Sequence, residues 1–164
     1  MYIFLIITAS PLLVFLAIDL YNPESSLLHN LTSISNSLPT LHSMTNLSLS
    51  SVMSAYCKTA PVWALILVIF SYKELRLKTD QTISTLITTL ILFSILYLGM
   101  VSLLLFNNVE LTESGRLLRM MSSNDYLLTL LFIAIFSVIF IFTTYYALFI
   151  YAFYKTNNST KTAH

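Results

Sequence analysis

The stretch "TISTLITTLILFSILYLGMVSLLLF", Thr82 to Phe106, decides the class of fold. It contains no Asp, Glu, Lys or Arg. As a helix it is about 37 Å long, more than the roughly 30 Å hydrocarbon core of a bilayer. Backbone groups inside lipid find no water, so such a run must satisfy its own hydrogen bonds as a helix.

Three more segments have this character. Residues 1–20, "MYIFLIITASPLLVFLAIDL", match one bilayer thickness, with Pro11 in the middle. The lack of a basic start argues for a retained span rather than a cleaved signal. A second span is expected over residues 60–77, with Thr59 as its cap and Pro61 in the first turn, where no donor is needed. The third, residues 82–106, is the opening stretch, with Asp80 as its expected cap. The fourth, residues 126–154, exceeds the hydrocarbon thickness and should tilt or protrude. "SSND" before it supplies cap candidates, and Tyr145, Tyr146, Tyr151 and Tyr154 are read as an interfacial aromatic belt.

The expected fold is therefore an all-α integral membrane protein of about four transmembrane helices, in one membrane domain. Composition agrees. Of 164 residues, 57% are hydrophobic and only 9% are charged, against about 25% charged in soluble domains. A net charge of +1 gives no basic field for nucleic acid. Two glycines, Gly99 and Gly115, exclude a Gly-rich phosphate loop. The lone Cys57 is read as a small buried residue.

Lys73, Arg76 and Lys78 crowd the short link between the second and third spans. Basic residues in short loops stay in the cytoplasm, so these three are the expected topology anchor, with both termini on the same side. Residues 21–59 then lie opposite, as an extramembrane loop. Within it Leu27, Leu28, Leu31, Ile34 and Leu38 follow helical spacing up to Pro39, which predicts a short amphipathic helix on the membrane surface or on a neighbouring subunit. A weaker apolar series follows: Leu41, Met44, Leu47 and Val52. The same loop carries two sequons, Asn30-Leu31-Thr32 and Asn46-Leu47-Ser48, read as possible N-glycosylation sites on the lumenal side of an endomembrane. The loop of residues 107–125 spaces Glu110, Glu113, Arg116 and Arg119 by three, the spacing of a helical charge ladder. Residues 155–164 form a tail.

No catalytic constellation is present in the sequence. Asp19 is the one ionisable group well inside a span, at its end, and is read as hydrated or paired with a subunit. His29 and His42 lack further ligands at metal spacing. No cofactor or metal is expected.

What the spans do carry is packing information. Thr85, Thr88, Gly99 and Ser102 share one side of the third span, and Ala134, Ser137 and Thr144 one side of the fourth. Small residues let membrane helices approach closely, so these sides are expected to form the seam of the bundle. Phe132, Phe136 and Phe140 make a ridge expected to meet lipid. Either kind of stripe is a possible partner-packing face.

The functional expectation is a non-catalytic accessory or scaffold subunit of a larger membrane protein complex in the endoplasmic reticulum, its partners being the lipid bilayer and a larger integral membrane subunit. The alternatives are a small transporter or channel component, or a supernumerary subunit of a mitochondrial inner-membrane complex.

Overall fold

A computed structural model describes residues 1–22, 25–35, 38–71 and 83–161. Lys73, Arg76, Lys78 and the Asp80 cap lie outside the described residues. The chain is mostly helical: α1 (Tyr2–Tyr21), α2 (Ser26–Ser35), α3 (Leu47–Cys57), α4 (Ala60–Ser71), α5 (Ile83–Leu105), α6 (Arg116–Ser122) and α7 (Asp125–Lys161). Two short strands, β1 (Leu41–His42) and β2 (Val109–Glu110), pair in parallel. Among the described residues, four helical stretches are long and apolar enough to cross a membrane: Tyr2–Tyr21, Leu47–Ser71, Ser84–Leu105 and Asp125–Lys155.

The second of these starts earlier than the sequence suggests. α3 runs into α4 through a single turn at Lys58 and Thr59, so much of the expected first loop is helix. Thr59 does not cap α4 with its side chain. Its hydroxyl points back and donates to the Tyr56 carbonyl at 2.8 Å. The cap of α3 is Asn46, whose side-chain oxygen accepts from the Leu49 N–H at 3.2 Å. Asn124 plays the same part for α7, accepting from the N–H groups of Tyr126 and Leu127. α2 forms where the apolar spacing predicts it.

Pro11 sits inside α1 and cannot donate to the carbonyl of Ile7. The hydroxyl of the neighbouring Ser10 donates to that carbonyl instead, at 2.7 Å. Other hydroxyls in the spans bond four residues back: Thr8 to Phe4, Ser94 to Leu90, Ser137 to Ile133, Thr143 to Ile139 and Thr144 to Phe140. This local bonding is how Ser and Thr are accommodated in a helix without water.

α7 is the axis of the bundle. α1, α3, α4, α5 and α6 all pack on it. Its inward ridge is Phe132, Phe136 and Phe140, each fully buried. The ridge expected to meet lipid is thus the core, with Tyr56 of α3 stacked on Phe136 and Phe4 of α1 tilted against Phe140. The small-residue sides are reversed as well. Thr85, Thr88, Gly99 and Ser102 are exposed on α5, and Ala134 is exposed on α7; only Thr144 is buried, with Ser137 half-buried. The reason is size. α5 reaches α7 through aromatic rings, Phe93 and Tyr97 against Phe142, Tyr146 and Phe149, and rings hold two helices further apart than a small-residue seam requires. Tyr146 therefore belongs to this internal stack, while Tyr145 and Tyr154 remain exposed.

Candidate functional site

At one end of the bundle a polar clasp ties three helices together. Asn46, at the start of α3, donates from Nδ2 to Asp19 Oδ2 of α1 at 2.7 Å and to Asp125 Oδ1 of α7 at 3.3 Å. Asp19 is buried, only 8% exposed. One amide group thus separates two carboxylates that would otherwise face each other, while its oxygen caps α3. Asp19 is paired within the chain, to Asn46. Asn46 cannot carry a glycan here, because the nitrogen that would be modified holds both carboxylates. Asn30 lies exposed on α2.

Beside the clasp, residues 38–46 are zipped to residues 108–124. Leu41 pairs with Val109 and His42 with Glu110. The Leu111 N–H donates to the His42 carbonyl at 2.9 Å, and the Ser43 hydroxyl donates to the Ser122 carbonyl at 2.9 Å. The Leu41 and Ser43 N–H groups donate to the hydroxyls of Ser54 and Ser50 on α3. The charge ladder expected over residues 110–119 does not form. Glu110 lies in β2 and Glu113 in a turn, because strand pairing and the following turn use up the residues before Gly115. Arg119 instead donates from Nε to the Thr112 carbonyl at 3.0 Å. The cap leaves a cleft of about 390 Å³ lined by Pro39, Thr40, His42 and Asn108. Leu117 and Met120 of α6 point outward next to the cap. His29 and His42 are not brought together in a ligand set, and no cluster of three metal-ligating side chains occurs among the described residues.

The opposite resource is the open side of α5. Thr88, Leu92, Ile95, Gly99 and Ser102 lie along it, all exposed. A Cβ built on Gly99 would meet nothing within 4 Å among the described residues, so no contact with them requires a glycine there. Thr88 donates to its own helix, to the Ser84 carbonyl at 3.1 Å. Cys57 is fully buried and donates to the Phe132 carbonyl at 3.4 Å, a packing residue as expected.

These features define a class: a helical protein with stretches apolar enough to cross a membrane, a braced cap at one end and an open side on α5. The chain belongs to the colicin immunity protein family, whose model matches residues 24–158. It is 38% identical to the colicin-A immunity protein of Citrobacter freundii over 149 residues, 91% of this chain and 83% of that protein. It is 28% identical to the colicin-B immunity protein of Escherichia coli over 136 residues, 83% of this chain and 78% of that protein. The colicin-N immunity protein of Escherichia coli is 40% identical over 80 residues, 49% of this chain and 61% of that protein. No solved structure matches the chain significantly.

Family membership corrects the functional expectation. The relatives are bacterial immunity proteins. Bacteria have neither endoplasmic reticulum nor mitochondria, so the accessory-subunit reading, both organelle assignments and the glycosylation of Asn30 and Asn46 are overturned. The physical reason is plain: apolar length reports the solvent around a helix and not the cell that owns the membrane. Sequons also recur by chance where Asn, Ser and Thr abound. An integral membrane location is retained. Colicin immunity proteins are not enzymes, and this chain is not one.

Proposed function

We propose that this chain protects its host cell against a pore-forming colicin of the colicin A kind. It does so from the inner membrane, by binding the membrane-inserted helices of the toxin's pore-forming domain. The observation that carries this reading is the 38% identity to the colicin-A immunity protein across 91% of the chain.

In this reading four spans cross the membrane. Lys73, Arg76 and Lys78 hold the link between α4 and α5 in the cytoplasm, and the clasp and cap face the periplasm. The open side of α5 receives a toxin helix. Small residues there permit close approach, and without a hydrophobic force between helices in lipid, close packing is what binds them. A seat centred on Gly99 fits an apolar helix.

The test is to express the chain in sensitive Escherichia coli and challenge the cells separately with colicins A, B and N. Protection against at least one, and most strongly against colicin A, is expected. Full sensitivity to all three, with the chain present in the membrane fraction, would sink the proposal.

A further inference from the structure

α2 presents three different sides. Leu28, Thr32 and Ser35 turn inward against the bundle, with Leu28 and Ser35 buried. Ser26, His29, Asn30 and Ser33 form an exposed polar side. Between these lies an exposed apolar stripe at i, i+4 and i+7, made of Leu27, Leu31 and Ile34, and continued by Leu38. Leu31, Ile34 and Leu38 border an apolar groove of about 190 Å³ whose other walls include Phe15 of α1 and Val52 and Tyr56 of α3.

The groove has a defined depth. Phe15 is one turn inside the Asp19 end of α1, and the next exposed residues of α1, Leu13 and Val14, are apolar. The walls of the groove belong to two stretches apolar enough to cross a membrane, Phe15 to Tyr2–Tyr21 and Val52 and Tyr56 to Leu47–Ser71, so the stripe on α2 borders a groove at the level of both. A helix with one side on protein, one polar and one apolar at this depth meets three media at once: protein, water and acyl chain. α2 carries no Lys or Arg, so headgroup charge cannot be what holds it, and apolar burial must do so.

The geometry points to α2 as an interfacial helix whose Leu27–Leu31–Leu38 stripe and adjoining groove are filled by phospholipid acyl chains of the leaflet at the clasp end. This inference rests on α1 crossing the bilayer, but not on which toxin is bound. It makes α2 part of the membrane footprint, tethered by its own apolar stripe between the end of α1 and the cap.

Tryptophan fluorescence tests it. The chain has one tryptophan, Trp63. In a Trp63→Phe background, single variants Leu27→Trp, Leu31→Trp, Asn30→Trp, Ser33→Trp and Val14→Trp each report on one exposed position. The full chain is reconstituted in phosphatidylcholine vesicles brominated near the top of the acyl chains. Leu27→Trp and Leu31→Trp are expected to emit to the blue and lose about half their emission to bromine, while Asn30→Trp and Ser33→Trp are quenched by aqueous iodide instead. Val14→Trp reports on α1 alone. Bromine quenching at Val14 together with iodide quenching at Leu27 and Leu31 would overturn the interfacial assignment and leave α1 in the membrane. Insensitivity of Leu27 and Leu31 to both quenchers would mean that protein, such as a second copy, covers the stripe, and would also overturn it. No bromine quenching at Val14 would remove the spanning reading and this inference together.

Discussion

The hydroxyl of Tyr56 donates to the carbonyl of Thr8 at 2.7 Å, and the same ring stacks on Phe136 at 5.5 Å with 11° between planes. One side chain of α3 thus joins α1 to α7. Tyr56→Phe keeps the stack and loses the hydrogen bond, an expected cost of about 0.6 kcal/mol in a membrane protein. Tyr56→Ala loses both, at about 3–5 kcal/mol. Unfolding in mixed micelles measures the gap between the two variants. Equal costs would mean that the ring contributes nothing.

Asn46 holds apart the two carboxylates it binds. Asn46→Ala removes a helix cap and both hydrogen bonds and is expected to cost about 2–4 kcal/mol. Asp19→Asn is expected to be mild, within about 1 kcal/mol, because its remaining side-chain oxygen still accepts from Asn46 while one of two like charges is gone. The order of the two variants in a thermal melt is the check. A harmless Asn46→Ala would dismiss the clasp as a brace.

Phe136→Ala opens a void in a fully buried ridge and is expected to cost about 3–5 kcal/mol. Leu92→Ala, at a position 71% exposed on α5, should change the stability of the isolated protein within about 0.5 kcal/mol. If Leu92→Ala were the costlier of the two, the inner and outer sides would have to be exchanged.

Gly99→Leu separates folding from binding. No described residue lies within 4 Å of a Cβ built there, so insertion and stability should be unchanged or improved, glycine being about 1 kcal/mol poorer than alanine in a helix. A bulky residue in the proposed toxin seat should weaken protection by about tenfold, the equivalent of 1.4 kcal/mol. Titrating colicin against cells carrying each form at matched levels reads this out. Undiminished protection would move the seat elsewhere.

Neutralising Lys73, Arg76 and Lys78 together should scramble orientation, because the positive charge proposed to set it is gone. Periplasmic and cytoplasmic reporter fusions after residue 161 distinguish the outcomes. An unchanged pattern would assign topology to some other part of the chain.

The helices were readable in the sequence because lipid demands long uninterrupted apolar runs, and α2 was readable because Leu27, Leu31 and Ile34 repeat at helical spacing. Which side of each span faces inward was not. In water the core is the apolar side. In a membrane both sides are apolar, so the pattern on α5 and α7 carries no sign, and the small-residue rule gave the wrong one for Gly99 and Phe136. The clasp was hidden for a different reason: Asn46 stands 27 residues from Asp19 and 79 from Asp125, and only the fold brings them together. The extra helix α3 was concealed by its serines, which look like loop until their hydroxyls are seen serving the backbone of β1 and the residue after it.

The position of α7 at the centre has a consequence for biosynthesis. α1, α3, α4, α5 and α6 all precede it in the chain, yet each packs on it. During translation the apolar stretches among them are made before that axis exists. α1, α2 and α3 can already meet one another, but α4, α5 and α6 wait until the ribosome delivers the helix they share. At roughly 5–20 residues per second, the 37 residues of α7 take a few seconds to arrive. Closure of the bundle is therefore a late event, and a nascent chain arrested before Asp125 lacks the helix on which its three apolar stretches all pack.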